Sequence, residues 1–155
     1  MSRCVPLIEQ RSYQILRSRA GTAGLPPLTR AVTERVIHAS ADVAYLTDLV
    51  CAEQSLAAGA RALAAGVPVV TDSDMTAAGI TARPAVCRVR DRRAAALAAA
   101  AGITRSAAGI RVAFAEVGPG AVWVIGTAPT ALAELIGLGA APALVIGLPV
   151  GFVGA

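Results

Sequence analysis

The stretch Ala121-Val122-Trp123-Val124-Ile125-Gly126-Thr127-Ala128-Pro129-Thr130 decides the fold of this 155-residue chain. Five apolar residues, three of them β-branched, run without a polar break and stop at glycine, as a strand buried on both faces does. Pro129 then suits the first turn of a helix, and the amides just before it form a candidate anion site. Strand, glycine turn and helix in that order make one half of a parallel α/β unit.

The same grammar repeats on either side. Ala143 to Ile146 is a second short β-branched run that ends in Gly147, and Val67 to Thr71 is a third that ends in Asp72-Ser73-Asp74-Met75. Ala85 to Val89 is a weaker strand candidate. Helical patterns at Arg105 to Glu116 and Pro129 to Ile136 alternate with these strands. Towards the N-terminus the pattern is helical from Glu9 to Arg19, followed by a Gly/Pro connection from Gly21 to Pro27. A helix that Thr29 could cap comes next, then a possible short strand at Val43 to Leu46 and a helix from Ala52 to Ala65 closed by Gly66. Such alternation predicts an α/β sandwich with a mostly parallel sheet, its ligand site beyond the carboxyl ends of the strands.

Composition narrows the chemistry. A chain of this length forms a single domain with a core that needs no disulfide or structural metal. Cys4, Cys51 and Cys87 are odd in number and form no CxxC pair, and no secretory leader pattern precedes them, so a reduced, cytoplasmic setting is expected. The ligands of a zinc site are lacking. All fourteen basic residues are arginine, which excludes a lysine Schiff base, a lysine nucleophile and the P-loop lysine. The net charge of +4, carried by planar guanidinium groups, favours an anionic small ligand. The uncharged stretch from Leu135 to Ala155 is cut by Gly137, Gly139, Pro142, Gly147, Pro149 and Gly151 into pieces too short to span a membrane. No GxGxxG or GxxxxGK[ST] pattern supports nucleotide binding.

His38, the only histidine, lies in Arg35-Val36-Ile37-His38-Ala39. Histidine gives and takes protons near neutrality, so acid–base chemistry by an imidazole occurs here or nowhere in the chain. A lone histidine on a helix is also commonly a hydrogen-bonded structural residue. Leu28, Val32, Val36 and Ala39 fall on one stripe, and His38 lies about 120° from its middle, on the flank that carries Arg35 and Asp42. The basic run Arg83, Arg88, Arg90, Arg92 and Arg93 has two readings, a nucleic-acid patch or a solvated loop around a strand. The absence of interleaved aromatics favours the loop.

Taken in order, several segments resemble the precorrin-8X methylmutase family of corrin biosynthesis. They are Glu9-Gln10-Arg11-Ser12-Tyr13 with Ile15; Arg35 to Ala39; Asp72 with Met75, Gly79 and Ile80; Arg90 to Arg93; Thr104-Arg105-Ser106-Ala107-Ala108; Ala128 to Leu132; and Gly147 to Ala155. The resemblance implies a flavodoxin-like three-layer α/β sandwich. The implied reaction is a cofactor-free isomerisation that moves a methyl group from C11 to C12 of precorrin-8X, or of its cobalt counterpart, to give hydrogenobyrinate or cobyrinate. It further implies His38 as the general acid, Ser12, Arg35 and Arg105 as substrate-binding residues, no protein-bound metal, a homodimer, and no nucleic-acid or membrane partner. Asn is common in the family where Ile103 and Thr127 stand here, and a polar residue where Ala78 stands. The family usually continues beyond the Gly147 to Ala155 segment, so the chain reads as one methylmutase-like domain, residues 1–155, without that last part. The alternative is a non-catalytic module of the same fold that binds a tetrapyrrole or a partner subunit.

Overall fold

A computed structural model describes residues 7–152, which fall into two compact units, divided after Ala57. Cys4 and the Val153-Gly154-Ala155 end of the last motif lie outside the described residues.

The first unit is helical. α1 (Leu7–Arg19) leads through a 3-10 turn (Thr22–Gly24) to α2 (Pro27–Ser40), then to the single turn α3 (Tyr45–Asp48) and the start of α4 (Glu53–Ala64). Pro27 opens α2, where its missing N–H costs nothing and its fixed φ already suits a helix. Thr29 is not the cap that the sequence suggests. The cap comes from elsewhere, because the Glu53 carboxylate accepts the Leu28 and Thr29 amides at 3.0 and 2.8 Å and the Thr29 hydroxyl at 2.8 Å. Those bonds, the Leu28 amide first, hold Glu53 below the usual carboxylate range.

The buried face of α2 is Thr33, Glu34 and Ile37 rather than the stripe through Leu28 and Ala39, both of which are exposed. Ile37 packs with Leu16 and Ala20 of α1, flanked by Tyr13, Tyr45 and Leu46. The helix has turned because a buried carboxylate with enough partners competes with aliphatic residues for the inner face. The strand expected at Val43 to Leu46 is also corrected. Asp42 Oδ1 accepts the Ala44 amide at 2.9 Å, and bonds from Leu46 to Val43 and from Thr47 to Ala44 curl the backbone into α3.

The second unit carries the sheet. β1 (Val69–Thr71), β2 (Val86–Cys87), β3 (Val122–Ile125) and β4 (Leu144–Gly147) are all parallel, in the order β2-β1-β3-β4. That is the beginning of the flavodoxin-like order, with the reversal between β1 and β3. Side-chain alternation assigns the faces. Val70, Trp123 and Ile125 pack with Ile110 and Ala113 of α7 (Arg105–Val117) and with Ala131 and Leu135 of α8 (Pro129–Gly137). On the opposite face Val122 pairs in register with Leu144, and α4 approaches so closely that a Cβ on Gly59 would lie 2.6 Å from the Leu144 side chain. Helix, sheet and helix make three layers.

Two helices have no counterpart in the sequence pattern. α5 (Asp74–Gly79) is a short helix capped by Ser73, which accepts the Thr76 amide at 3.2 Å. α6 (Arg92–Ala101) is capped by Asp91 and closed by Gly102 in the left-handed region at φ 63°. Its alanines give hydropathy periodicity nothing to work on. They bury nonetheless, Ala94 and Ala98 against Ala108 and Val112 of α7.

Candidate active site

Within the first unit, α1 and α2 run antiparallel and bring Ser12, Arg35 and His38 together. Ser12 Oγ lies 2.9 Å from His38 Nδ1, and among the described residues none is hydrogen-bonded to Nε2. His38, Ser12, Arg35, Glu9 and Ile8 line an open groove of about 440 Å³. The opposite charges that flank His38 in sequence do not meet it. Arg35 Nη1 turns towards Glu9 at 3.5 Å, and Asp42 is engaged in the Ala44 turn. What meets the imidazole is Tyr13, stacked at 4.8 Å between centroids and 5° between planes.

One helical turn before His38 lies the most heavily bonded side chain of the first unit. Glu34 accepts Arg17 Nη2 at 2.7 Å and Arg17 Nε at 3.1 Å, Arg30 Nε at 2.9 Å and the Thr22 hydroxyl at 2.7 Å. The Arg17 hydrogen bond, helped by Arg30 and Thr22, outweighs burial and lowers the Glu34 pKa to about 2. Sequence reasoning passes over Tyr13, Arg17 and Glu34 as site residues. The i, i+4 spacings of Tyr13 with Arg17, Arg30 with Glu34 and Glu34 with His38 are visible in the chain, but their partners across two helices are not.

Arg105 stands in the second unit and is described there by itself. It is the first residue of α7 and is exposed, just after Thr104, whose hydroxyl caps the helix through the Ala107 amide at 3.2 Å. The anion site expected before Pro129 is already filled by the protein's own carboxylate. Asp72, 1% exposed at the end of β1, accepts the amides of Gly126, Thr127 and Ala128 at 3.2, 2.8 and 2.7 Å. It also accepts the Thr127 hydroxyl at 2.7 Å and the Thr76 hydroxyl at 3.0 Å. Burial opposes its charge, but the Thr127 hydroxyl and the three amides prevail and hold the carboxyl below its ordinary range. Amides that greet an external anion in many parallel sheets are here occupied from within.

Four of the five arginines of the basic run are paired too. Arg83 donates to the Leu63 carbonyl, Arg88 and Arg93 to Glu116, Arg93 also to Asp91, and Arg90 pairs with Asp74. Among the described residues no three His, Cys, Asp or Glu side chains converge as a metal-binding group, and no helix is long and apolar enough to cross a membrane.

One unit holds a parallel sheet of flavodoxin-like order and the other a histidine–serine pair beside a groove that also holds Arg35 and Glu9, which together define an α/β protein with a candidate acid–base site. The family model described as precorrin-8X methylmutase matches residues 7–155. Among curated relatives, precorrin-8X methylmutase of Pseudomonas aeruginosa is 40% identical over 96% of this chain and 76% of its own length. Cobalt-precorrin-8 methylmutase of Salmonella typhimurium is 37% identical over 96% of this chain and 76% of its own. The crystal structure of precorrin-8X methyl mutase from Thermus thermophilus superposes with a TM-score of 0.79 at 34% identity, covering 95% of this chain and 76% of that one. The chain belongs to the precorrin-8X methylmutase family.

Proposed function

We propose that this chain is an isomerase of cobalamin biosynthesis that moves a methyl group from C11 to C12 within precorrin-8X or its cobalt-containing counterpart, with His38 as the general acid. The observation that carries the assignment of His38 is the 2.9 Å Ser12–His38 pair beside a groove that also holds Arg35. A hydroxyl can donate to Nδ1 of the neutral ring and accept from Nδ1–H of the imidazolium. Ser12 therefore stays bonded to His38 whichever way the proton has moved, and Nε2 keeps one orientation through the cycle.

The chemistry follows from that orientation. Nε2–H of the imidazolium lends a proton to the conjugated macrocycle, which draws electron density from ring C. The methyl group then leaves C11 with its bonding pair as the bond to C12 forms, and the proton returns to the neutral imidazole. Nothing is gained or lost overall, as an isomerisation requires. Arg35, which is exposed and among the described residues is held only by the long contact to Glu9, and Arg105 at the start of α7 are suited to the carboxylate side chains of such a substrate. The same family reading extends to a homodimer working in the cytoplasm, with the size of the assembly open to analytical ultracentrifugation.

Replacement His38→Ala is the test. Turnover of precorrin-8X is expected to fall by at least ~10²-fold while product binding survives. An unchanged rate would sink the role of His38. Product binding without turnover in the unaltered chain would favour the non-catalytic alternative.

A further inference from the structure

Beyond the proton donor and its serine, we propose that Tyr13 is a positioning residue that fixes the plane of the His38 ring and is itself clamped by Arg17, which the buried Glu34 anchors. This deepens the general-acid assignment and rests on it for its kinetic consequence, though not for its structural one.

Two ties join α1 to α2 one helical turn apart. The first is Glu34 with Arg17, and the second is His38 with Ser12 and Tyr13. Residues 13 and 17 are i and i+4 on α1, as 34 and 38 are on α2, so the two ties lie one above the other along the antiparallel pair. They are connected through the tyrosine. The Arg17 guanidinium carbon lies 5.6 Å from the Tyr13 ring centroid, and the Tyr13 ring stacks on the imidazole.

The order of anchoring runs outward from the buried carboxylate. Glu34 is 3% exposed and holds Arg17 by three of its hydrogen bonds, so this guanidinium is fixed although its side chain is half exposed. Arg17 in turn restricts the Tyr13 ring, and the Tyr13 ring restricts His38 about its χ2 axis. A single hydrogen bond from Ser12 fixes one atom of the imidazole, whereas fixing the plane requires a second contact. The parallel tyrosine face supplies it. Aim matters for a proton donor, because transfer depends steeply on the direction of the N–H bond.

The test compares Tyr13→Phe, which keeps the ring, with Tyr13→Leu, which removes it. His38 is the only histidine, so its ring carbon-bound protons can be observed by NMR without overlap from another imidazole. In the unaltered chain and in Y13F these resonances should be displaced upfield by the stacked ring, and in Y13L the displacement should vanish. In turnover of precorrin-8X, Y13L should lose roughly 10-fold in kcat with KM nearly unchanged, while Y13F stays within about twofold. Retention of the upfield resonances in Y13L, or an undiminished kcat in that variant, overturns the proposal. So does a Y13F variant as impaired as Y13L, since that would make the hydroxyl and not the ring plane responsible. The resonance measurement needs no substrate, so it tests the stack even if His38→Ala shows that the imidazole is not the acid.

Discussion

Asp72, just after β1, and His38, in the last turn of α2, are each a polar side chain at the end of an element, and their surroundings are opposite. Asp72 is buried and receives five hydrogen bonds, three from backbone amides around the start of α8. His38 is half-buried, bonded through one ring nitrogen and stacked on one face beside an open groove. A network whose donors are all consumed holds a fold together, while one that leaves an aimed atom at a groove can act on a ligand. The sequence invites the reverse assignment for Asp72, because a glycine turn before a helix in a parallel sheet is a common place for a bound anion. The structure fills the sheet's anion site with Asp72 as a latch, and the proposed acid, His38, stands in the helical unit.

The largest effect that could break this contrast is on stability. Asp72→Ala would leave three amides and two hydroxyls without the buried carboxylate that accepts them, and a loss of about 3–5 kcal/mol is expected in urea unfolding. A loss below about 1 kcal/mol would mean that Asp72 is no latch and that the site is open to another anion.

Acid should expose the corresponding dependence in the first unit. Glu34 remains ionised in the folded chain down to about pH 2, whereas an unfolded glutamate titrates near ~4.3. Its stabilisation is therefore complete above the unfolded value and drains away as the pH falls from there towards about 2. After allowance for the solvent exposure of Arg17 and Arg30, about 2 kcal/mol is at stake. Glu34→Gln should lack this loss between pH 4 and 2 and be less stable at neutrality by a similar amount, as thermal unfolding across pH would show.

The smallest structural effect belongs to the groove. Arg35→Gln should leave stability within about 0.5 kcal/mol, because its contact with Glu9 is long and exposed. It should raise KM for the corrin precursor by roughly 10-fold with kcat held, as steady-state kinetics would show. A large drop in Tm for R35Q would place Arg35 with Asp72 among the structural ties and remove the contrast.

Much of the second unit was legible because β3 and β4 are unbroken β-branched runs ending in glycine and β1 is a β-branched run ending in Asp72, and the strand positions follow these runs and the weaker Ala85 to Val89 candidate closely. The exceptions have physical causes. α6 is alanine throughout its middle, so it has no hydrophobic period, and its burial depends on how closely α7 approaches. Val43 to Leu46 reads as a strand because it is apolar, whereas one Asp42 side-chain bond decides the turn into α3. In the first unit the inner face of α2 differs from the apolar stripe through Leu28 and Ala39, because apolar spacing takes no account of a carboxylate. Glu34 faces inward because Arg17, Arg30 and Thr22 meet it there.

The four strand positions, the helices α7 and α8 between and after them, the absence of lysine chemistry, the single imidazole and the ordered family motifs were determined by the sequence alone. They depend on residue identity and local spacing. Only the tertiary structure decided that Ser12 and Tyr13 hold His38, that Glu34 is buried, and that Asp72 fills the amides before Pro129. Each of these joins residues more than ten positions apart, and a hydrogen bond or stacked ring depends on distances that no local pattern encodes.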